Sequence, residues 1–181
     1  MNFKLVALDI DGTITGSDHA ITERTKQVLH RVRETGAIVT IATGRSFRSA
    51  VRATSELELN SPIVSFQGAH LADPRTGKVL WHRPLTDHLT KLALANLEDW
   101  RGDIMAFVGD DVYVSEMTEW SWSYGDRQDV KVHEVGRLET IANKLPTRLV
   151  AMGDDTPIKE LEEELISKFM GEMHITRSLP Y

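Results

Sequence analysis

Residues 3–8 form a short, nearly unbroken apolar run that stops at Asp9. A strand that is apolar throughout, rather than alternating, belongs in a parallel sheet covered on both faces, so a buried first strand is predicted here. Ile21 and Thr22 then read as a staple and N-cap for a helix. Its positions Thr25, Val28, Leu29 and Val32 recur at helical spacing, and Gly36 closes it. Residues 37–42 predict a second buried strand, Ser46 caps a helix running to about residue 57, and residues 62–66 predict a third strand. This β-α-β-α-β order opens a doubly wound, Rossmann-like parallel sheet of the α/β class, whose ligands sit beyond the carboxyl ends of its strands. Asp9 and Thr43 both lie at such ends.

The rhythm then changes. Asp73-Pro74-Arg75-Thr76-Gly77 predicts the turn of a hairpin, and residues 84–86 lead into a helix reaching about residue 100. Two strands around Gly109-Asp110-Asp111 follow, then an aromatic segment, then helix, strand, helix and strand as far as residue 178. This is an α+β pattern, and the predicted division is residues 1–83 and 84–181. The acidic run at 160–164 reads as the solvated face of a helix begun by Thr156-Pro157 and buried through Ile158, Leu161, Leu165 and Phe169.

Composition narrows the class. The 181 residues are 41% apolar, enough for a real core, and 21 basic against 27 acidic side chains give a net charge of −6 with no basic block. That balance argues against a nucleic-acid surface. There is no cysteine, which removes disulfides and thiolate zinc sites and fits a reducing cytoplasm. Apolar runs are strand-sized and Met1 leads straight into a strand, so membrane insertion and secretion are not expected.

The candidate chemistry sits where the apolar runs break. A carboxylate at the mouth of a buried strand is costly unless a cation attends it, so Asp9 predicts a metal partner, and Asp11 can face the same point from the loop. Gly12 lets backbone N–H groups approach a phosphate, and Thr43-Gly44 adds a hydroxyl, an N–H and a helix N-terminus for an anion. These are the parts of a phosphoryl-transfer site with an aspartate nucleophile. Each alone is an ordinary turn; two matching pieces at the ends of adjacent strands are not.

At these residues the sequence resembles the haloacid dehalogenase superfamily. Asp9-Ile10-Asp11-Gly12-Thr13 matches its first motif and Ile41-Ala42-Thr43-Gly44-Arg45 its second. Gln67-Gly68-Ala69 leading into a hairpin, with an α+β insert after the third strand, is similar to the Cof-type phosphatases with a large type II (IIB) cap. The resemblance implies that residues 1–83 are the amino-terminal part of the core and 84–181 the cap. It also implies that Asp9 attacks phosphorus while Asp11 protonates the leaving oxygen and later deprotonates water. Gly12, Thr13, Thr43 and Gly44 would hold the phosphoryl oxygens, and Mg²⁺ would be bound by the Asp9 side chain and the Asp11 carbonyl. Arg45 and Gln67 are substrate candidates; Gln67 stands where the pattern usually has Asn.

The family's third motif, a lysine, and its fourth, an acidic pair, normally follow the cap and have no counterpart here. Met152-Gly153-Asp154-Asp155 reads instead as a strand-to-helix turn with an N-cap, and residues 177–181 as the segment leading back to the core. Without further strands, residues 3–8 become an exposed apolar edge. The expectation is that a missing carboxyl-terminal portion, or another copy, completes the sheet. The seven histidines show no ligand spacing. Trp120 and Trp122 read as cap packing, with a wall over the substrate or a dimer contact as the alternative. The function expected is Mg²⁺-dependent hydrolysis of a small phosphorylated metabolite, with a sugar phosphate as the expected substrate class. A phosphomutase, or a non-catalytic binding module or inactive fragment, are the alternatives.

Overall fold

The computed structural model describes residues 3–16 and 20–178, so His19 and the last three residues of the predicted return segment lie outside it. The chain divides into two compact units, Met1–Arg83 and Pro84–Tyr181.

In the first unit the parallel strands β1 (Leu5–Leu8) and β2 (Ile38–Ile41) pair from Leu5↔Ile38 to Leu8↔Ile41. The helix α1 (Glu23–Glu34) connects them, and its N-cap Thr22 accepts from the Thr25 N–H at 3.1 Å. After β2 come α2 (Phe47–Ala53) and β3 (Ile63–Ser65). A parallel bridge, Ala42↔Val64, joins β3 to the end of β2. Strands β4 (His70–Ala72) and β5 (Val79–His82) extend β3 as an antiparallel hairpin around the turn at Asp73. Ile10, Ile14, Val39, Ile41, Ala50 and Ile63 form the centre of the core.

Two expectations are corrected here. Strand β1 is not buried: Leu5 and Ala7 are exposed, Val6 and Leu8 half-buried, and the register partners Leu5 and Ile38 are 55% and 54% exposed. Among the described residues β1 has a strand on one side only, and the face carrying Leu5 and Ile38 is left in solvent. The helix from Ser46 stops at Ala53, where the Thr54 hydroxyl bonds the Ala50 carbonyl, and a separate 3₁₀ turn spans Ser55–Leu57.

The second unit is a four-stranded sheet in the order β8-β7-β6-β9, with β6 (Ile104–Val108), β7 (Asp111–Val114), β8 (Val132–Glu134) and β9 (Arg148–Ala151). Only β7 and β8 run parallel. One face packs Ala106 against Leu94, Leu138 and Ile141; Leu94 comes from α3 (Asp87–Asn96) and the other two from a 3₁₀ segment, Leu138–Lys144. On the other face Phe107 meets Tyr124 edge-on at 6.1 Å and Arg148 lies over the Phe107 ring at 4.2 Å. The last helix, α5 (Asp155–Phe169), buries Phe169 and leaves Glu160, Glu163 and Glu164 exposed, with Glu162 half-buried and accepting from the Arg177 N–H at 2.9 Å.

Here too the sequence pattern misled in places. The helix predicted to reach residue 100 ends at Asn96 and continues as turns. The aromatic segment is a helix, α4 (Glu119–Gln128), because Thr118 and Ser121 cap each other reciprocally and Trp120 stacks on Tyr124 one turn later at 5.4 Å. No strand follows α5 among the described residues. No helix is long and apolar enough to cross a membrane among those residues.

One buried group is poorly served. The Thr90 hydroxyl in α3 is fully buried and has no hydrogen-bond partner among the described residues. Thr90→Val, which keeps the branching and removes the orphaned hydroxyl, is expected to stabilise the protein by about 1 kcal/mol. Denaturant unfolding checks this; a destabilised variant would mean that the hydroxyl is satisfied.

Candidate active site

The loop after β1 is organised by one buried residue. Ile10 is fully buried, and its carbonyl accepts from the N–H groups of Thr13, Ile14 and Thr15 at 3.1–3.2 Å and from the Thr15 hydroxyl at 2.9 Å. With Ile10 turned inward, Asp9 and Asp11 both face outward, as the alternation of an extended chain requires. Gly12 makes the turn at φ +71°, which a side chain would strain. The Thr13 N–H is already donated to the Ile10 carbonyl at 3.2 Å.

The second segment lies beside the first. The Ala42 N–H donates to the Leu8 carbonyl at 2.9 Å, so the ends of β1 and β2 run together into the loops that carry Asp9 and Thr43. Thr43 is buried, and its hydroxyl accepts from the Arg45 N–H at 3.3 Å. Arg45 reaches across to Asp11 with a two-pronged fork, Nε to Oδ2 at 2.8 Å and Nη2 to Oδ1 at 2.6 Å. This bidentate geometry is the strong form of a guanidinium–carboxylate contact, and it fixes the Asp11 side chain relative to Thr43.

The predicted low-dielectric mouth is not found: Asp9 and Asp11 are exposed, and among the described residues no strand lies on the outer side of β1. The helix that follows Thr43-Gly44-Arg45 is short, α2 beginning at Phe47 with Ser46 as its N-cap. Gln67 is brought in from the end of β3, with its side-chain carbons about 3.4–3.6 Å from where a Cβ on Gly44 would lie. Nearby, the Ser65 hydroxyl meets His70 Nδ1 at 3.0 Å, and the His70 ring meets His82 edge-on at 5.4 Å. Burial pushes the His82 imidazole below its usual range.

For a metal, the donor set is small but chemically apt. Among the described residues no three His, Asp or Glu side chains converge. Mg²⁺ needs no such cage; it keeps several waters and takes one or two carboxylates plus substrate phosphate oxygens. With both Asp11 carboxylate oxygens on Arg45, the Asp9 carboxylate and the Asp11 carbonyl are the donors that fit. In the other unit, Asp154 occupies the N-cap position of α5 and Asp155 pairs with Arg177 at 2.5 Å. Trp120 packs on Tyr124, while Trp122 stays 64% exposed.

The family model described as haloacid dehalogenase-like hydrolase matches residues 6–181. The chain belongs to that family. Its likeness to a 5-amino-6-(5-phospho-D-ribitylamino)uracil phosphatase of Bacillus subtilis is 36% identity over 113 residues, covering 60% of this chain and 41% of that one. A haloacid dehalogenase-like hydrolase from Bacteroides thetaiotaomicron superposes with a TM-score of 0.83 at 22% identity, over 99% of this chain and 69% of that one. A sugar phosphatase of haloacid dehalogenase subclass IIB superposes with a TM-score of 0.72 at 20% identity, over 91% and 62%. These superpositions establish a haloacid dehalogenase-like α/β fold. The chain spans under half the length of the first curated relatives it matches.

What the sequence alone did not reveal is the Arg45–Asp11 fork and the left-handed turn that delivers Gln67. Arg45 carried a signal, since it is the last residue of the second motif. Nothing in the local pattern announced two successive non-glycine residues at positive φ.

Proposed function

We propose that this chain carries the nucleophile half of a Mg²⁺-dependent phosphatase acting on a small phosphorylated metabolite of the sugar-phosphate class. The observation that carries the reading is the Arg45–Asp11 fork, which ties the first-motif loop to the second-motif loop at the ends of two adjacent parallel strands. Asp9 is the nucleophile: its carboxylate oxygen bonds to phosphorus as the ester P–O bond breaks. Asp11, with both carboxylate oxygens on Arg45 at rest, acts once that fork opens: protonated, it gives its proton to the departing oxygen, then takes one from the water that attacks the aspartyl-phosphate and frees Asp9. Arg45 sets the direction in which the Asp11 carboxyl points. Thr43, Gly44, Gly12 and Thr13 hold the non-bridging oxygens. Mg²⁺, held by the Asp9 carboxylate and the Asp11 carbonyl, supplies charge neutralisation between carboxylate and phosphate when bound.

On this reading residues 1–83 are the amino-terminal part of the core, and residues 84–181 are a cap that selects the substrate. The exposed apolar surface at Phe3, Leu5 and Ile38 supports a further portion of protein, or a second copy, completing the sheet beyond β1. A cytoplasmic setting fits the cysteine-free composition.

The test is phosphate release from a panel of sugar and other metabolite phosphates, with Mg²⁺ and after chelation. Release from at least one substrate, lost on chelation and restored by Mg²⁺, is expected. Release that is indifferent to chelation would overturn the metal assignment, and no release from any substrate would mean that this nucleophile half needs the portion that completes the sheet, or that the chain is a binding module.

A further inference from the structure

The turn that ends β3 is strained, and the strain falls beside the proposed phosphate cradle. Phe66 and Gln67 both adopt left-handed backbone, with φ +50° and +52°, followed by Gly68 at +94°. Side chains rarely accept that conformation, and two in succession persist only where the surroundings over-determine them.

Here the surroundings do so. Phe66 is buried, its ring meeting His70 edge-on at 6.1 Å, and Ser65 before it is fully buried and bonded to His70. The Ala69 N–H closes the turn onto the Phe66 carbonyl at 3.0 Å. Both ends of the turn are therefore held, and the middle must bend left-handed.

The bend aims two successive N–H groups at one neighbouring segment. The Phe66 N–H donates to the Arg45 carbonyl at 2.9 Å and the Gln67 N–H to the Thr43 carbonyl at 3.1 Å. Those two carbonyls flank Gly44. The Gln67 side chain lies beside Gly44, its Cγ 3.4 Å and Nε2 3.6 Å from the place a Gly44 Cβ would take. In an extended strand successive N–H groups point to opposite sides, so a turn is what lets both reach the same neighbouring segment.

We propose that the Phe66-Gln67-Gly68 turn is a strained brace that fixes the Thr43-Gly44-Arg45 segment in its anion-binding shape, with Gln67 as a positioning residue. The inference rests on reading that segment as the phosphate cradle. It also gives a physical reason why the shared pattern has Asn where this chain has Gln: Asn tolerates left-handed backbone better than other side chains do.

The experiment compares the 181-residue chain with its Gln67→Gly and Gln67→Asn variants by two readouts. The first is thermal unfolding. The second is the Gly44 amide resonance, followed by NMR as orthophosphate is added in Mg²⁺-containing buffer. Gln67→Gly relieves the strain and loosens the brace, so its melting temperature is expected to rise by about 2–4 °C while its orthophosphate affinity falls about tenfold or more. Gln67→Asn keeps a short amide in a tolerated conformation and is expected to hold its affinity within about threefold. A merely structural residue would lose stability and binding together, and that outcome overturns the proposal. Unchanged affinity in Gln67→Gly overturns it too, leaving the cradle intact. If the parent chain shows no orthophosphate-dependent shift at Gly44, the cradle reading itself fails and the brace falls with it.

Discussion

Asp9→Asn is expected to lower Mg²⁺-dependent phosphate release by at least about 10³-fold, because it removes the nucleophile and leaves the rest of the site in place. The substitution keeps size and shape, and Asp9 is exposed at the end of β1, so stability should move by no more than about 0.5 kcal/mol. That separation makes the test sharp. A variant that is folded, binds orthophosphate and releases no product would place Asp9 in the bond-forming step. A variant with parental rates would remove the aspartyl-phosphate pathway and return Asp9 to the role of a strand-ending turn residue. Asp11→Asn offers a useful contrast: leaving groups that need no proton, such as nitrophenolate, should suffer less than alkoxides.

The second large effect concerns stability. Gly102→Ala is expected to destabilise the second unit by about 3 kcal/mol or more. A Cβ at residue 102 would lie 1.7 Å from the Met152 carbonyl oxygen and 2.7 Å from Trp100 Nε1. The first of these is backbone, so no side-chain rotation relieves it. The same carbonyl accepts the indole N–H of Trp100 at 2.9 Å, and the Met152 N–H donates to Asp103 at 2.9 Å, so moving Met152 aside also breaks the clasp between the start of β6 and the end of β9. Thermal unfolding followed by Trp100 fluorescence, in a chain whose other tryptophans are replaced, would report the loss. A shift within about 0.5 kcal/mol would mean that the close approach does not exist in solution.

Together the two variants separate chemistry from architecture. Asp9 is an exposed residue whose removal the fold tolerates, and Gly102 is far along the chain in a unit that carries none of the proposed phosphate contacts. Loss of activity in the first without loss of structure, and loss of structure in the second, would show that each unit has its own requirement.

The alternation of strand and helix through residue 66, and the place where it gives way to a different pattern, were legible because period and punctuation are local. Thr22, Ser46 and Thr86 sit where a capping residue is needed, and each accepts the expected N–H three residues on. The aromatic segment at Trp120 was not legible, since tryptophan and tyrosine favour strands by propensity while the reciprocal cap of Thr118 and Ser121 decides for a helix. Strand β1 reads as buried by its composition alone, but the exposed apolar edge expected in the absence of further strands is what the described residues show.

The same division runs through the candidate site. Asp9, Asp11, Thr43 and Gly44 are determined by sequence: each stands where an apolar run breaks into a loop, and a chain that ends two parallel strands this way brings those residues side by side. Tertiary structure alone decided that Arg45 would grip both oxygens of Asp11, that the carboxylates would stand in solvent, and that Phe66 and Gln67 would bend left-handed to hold the Thr43-Gly44-Arg45 segment. Local periodicity reports which way a side chain faces along its own strand or helix. Which partner it meets depends on contacts between residues 20 to 35 positions apart, and those are set by how strands register and turns close, not by any spacing within the run.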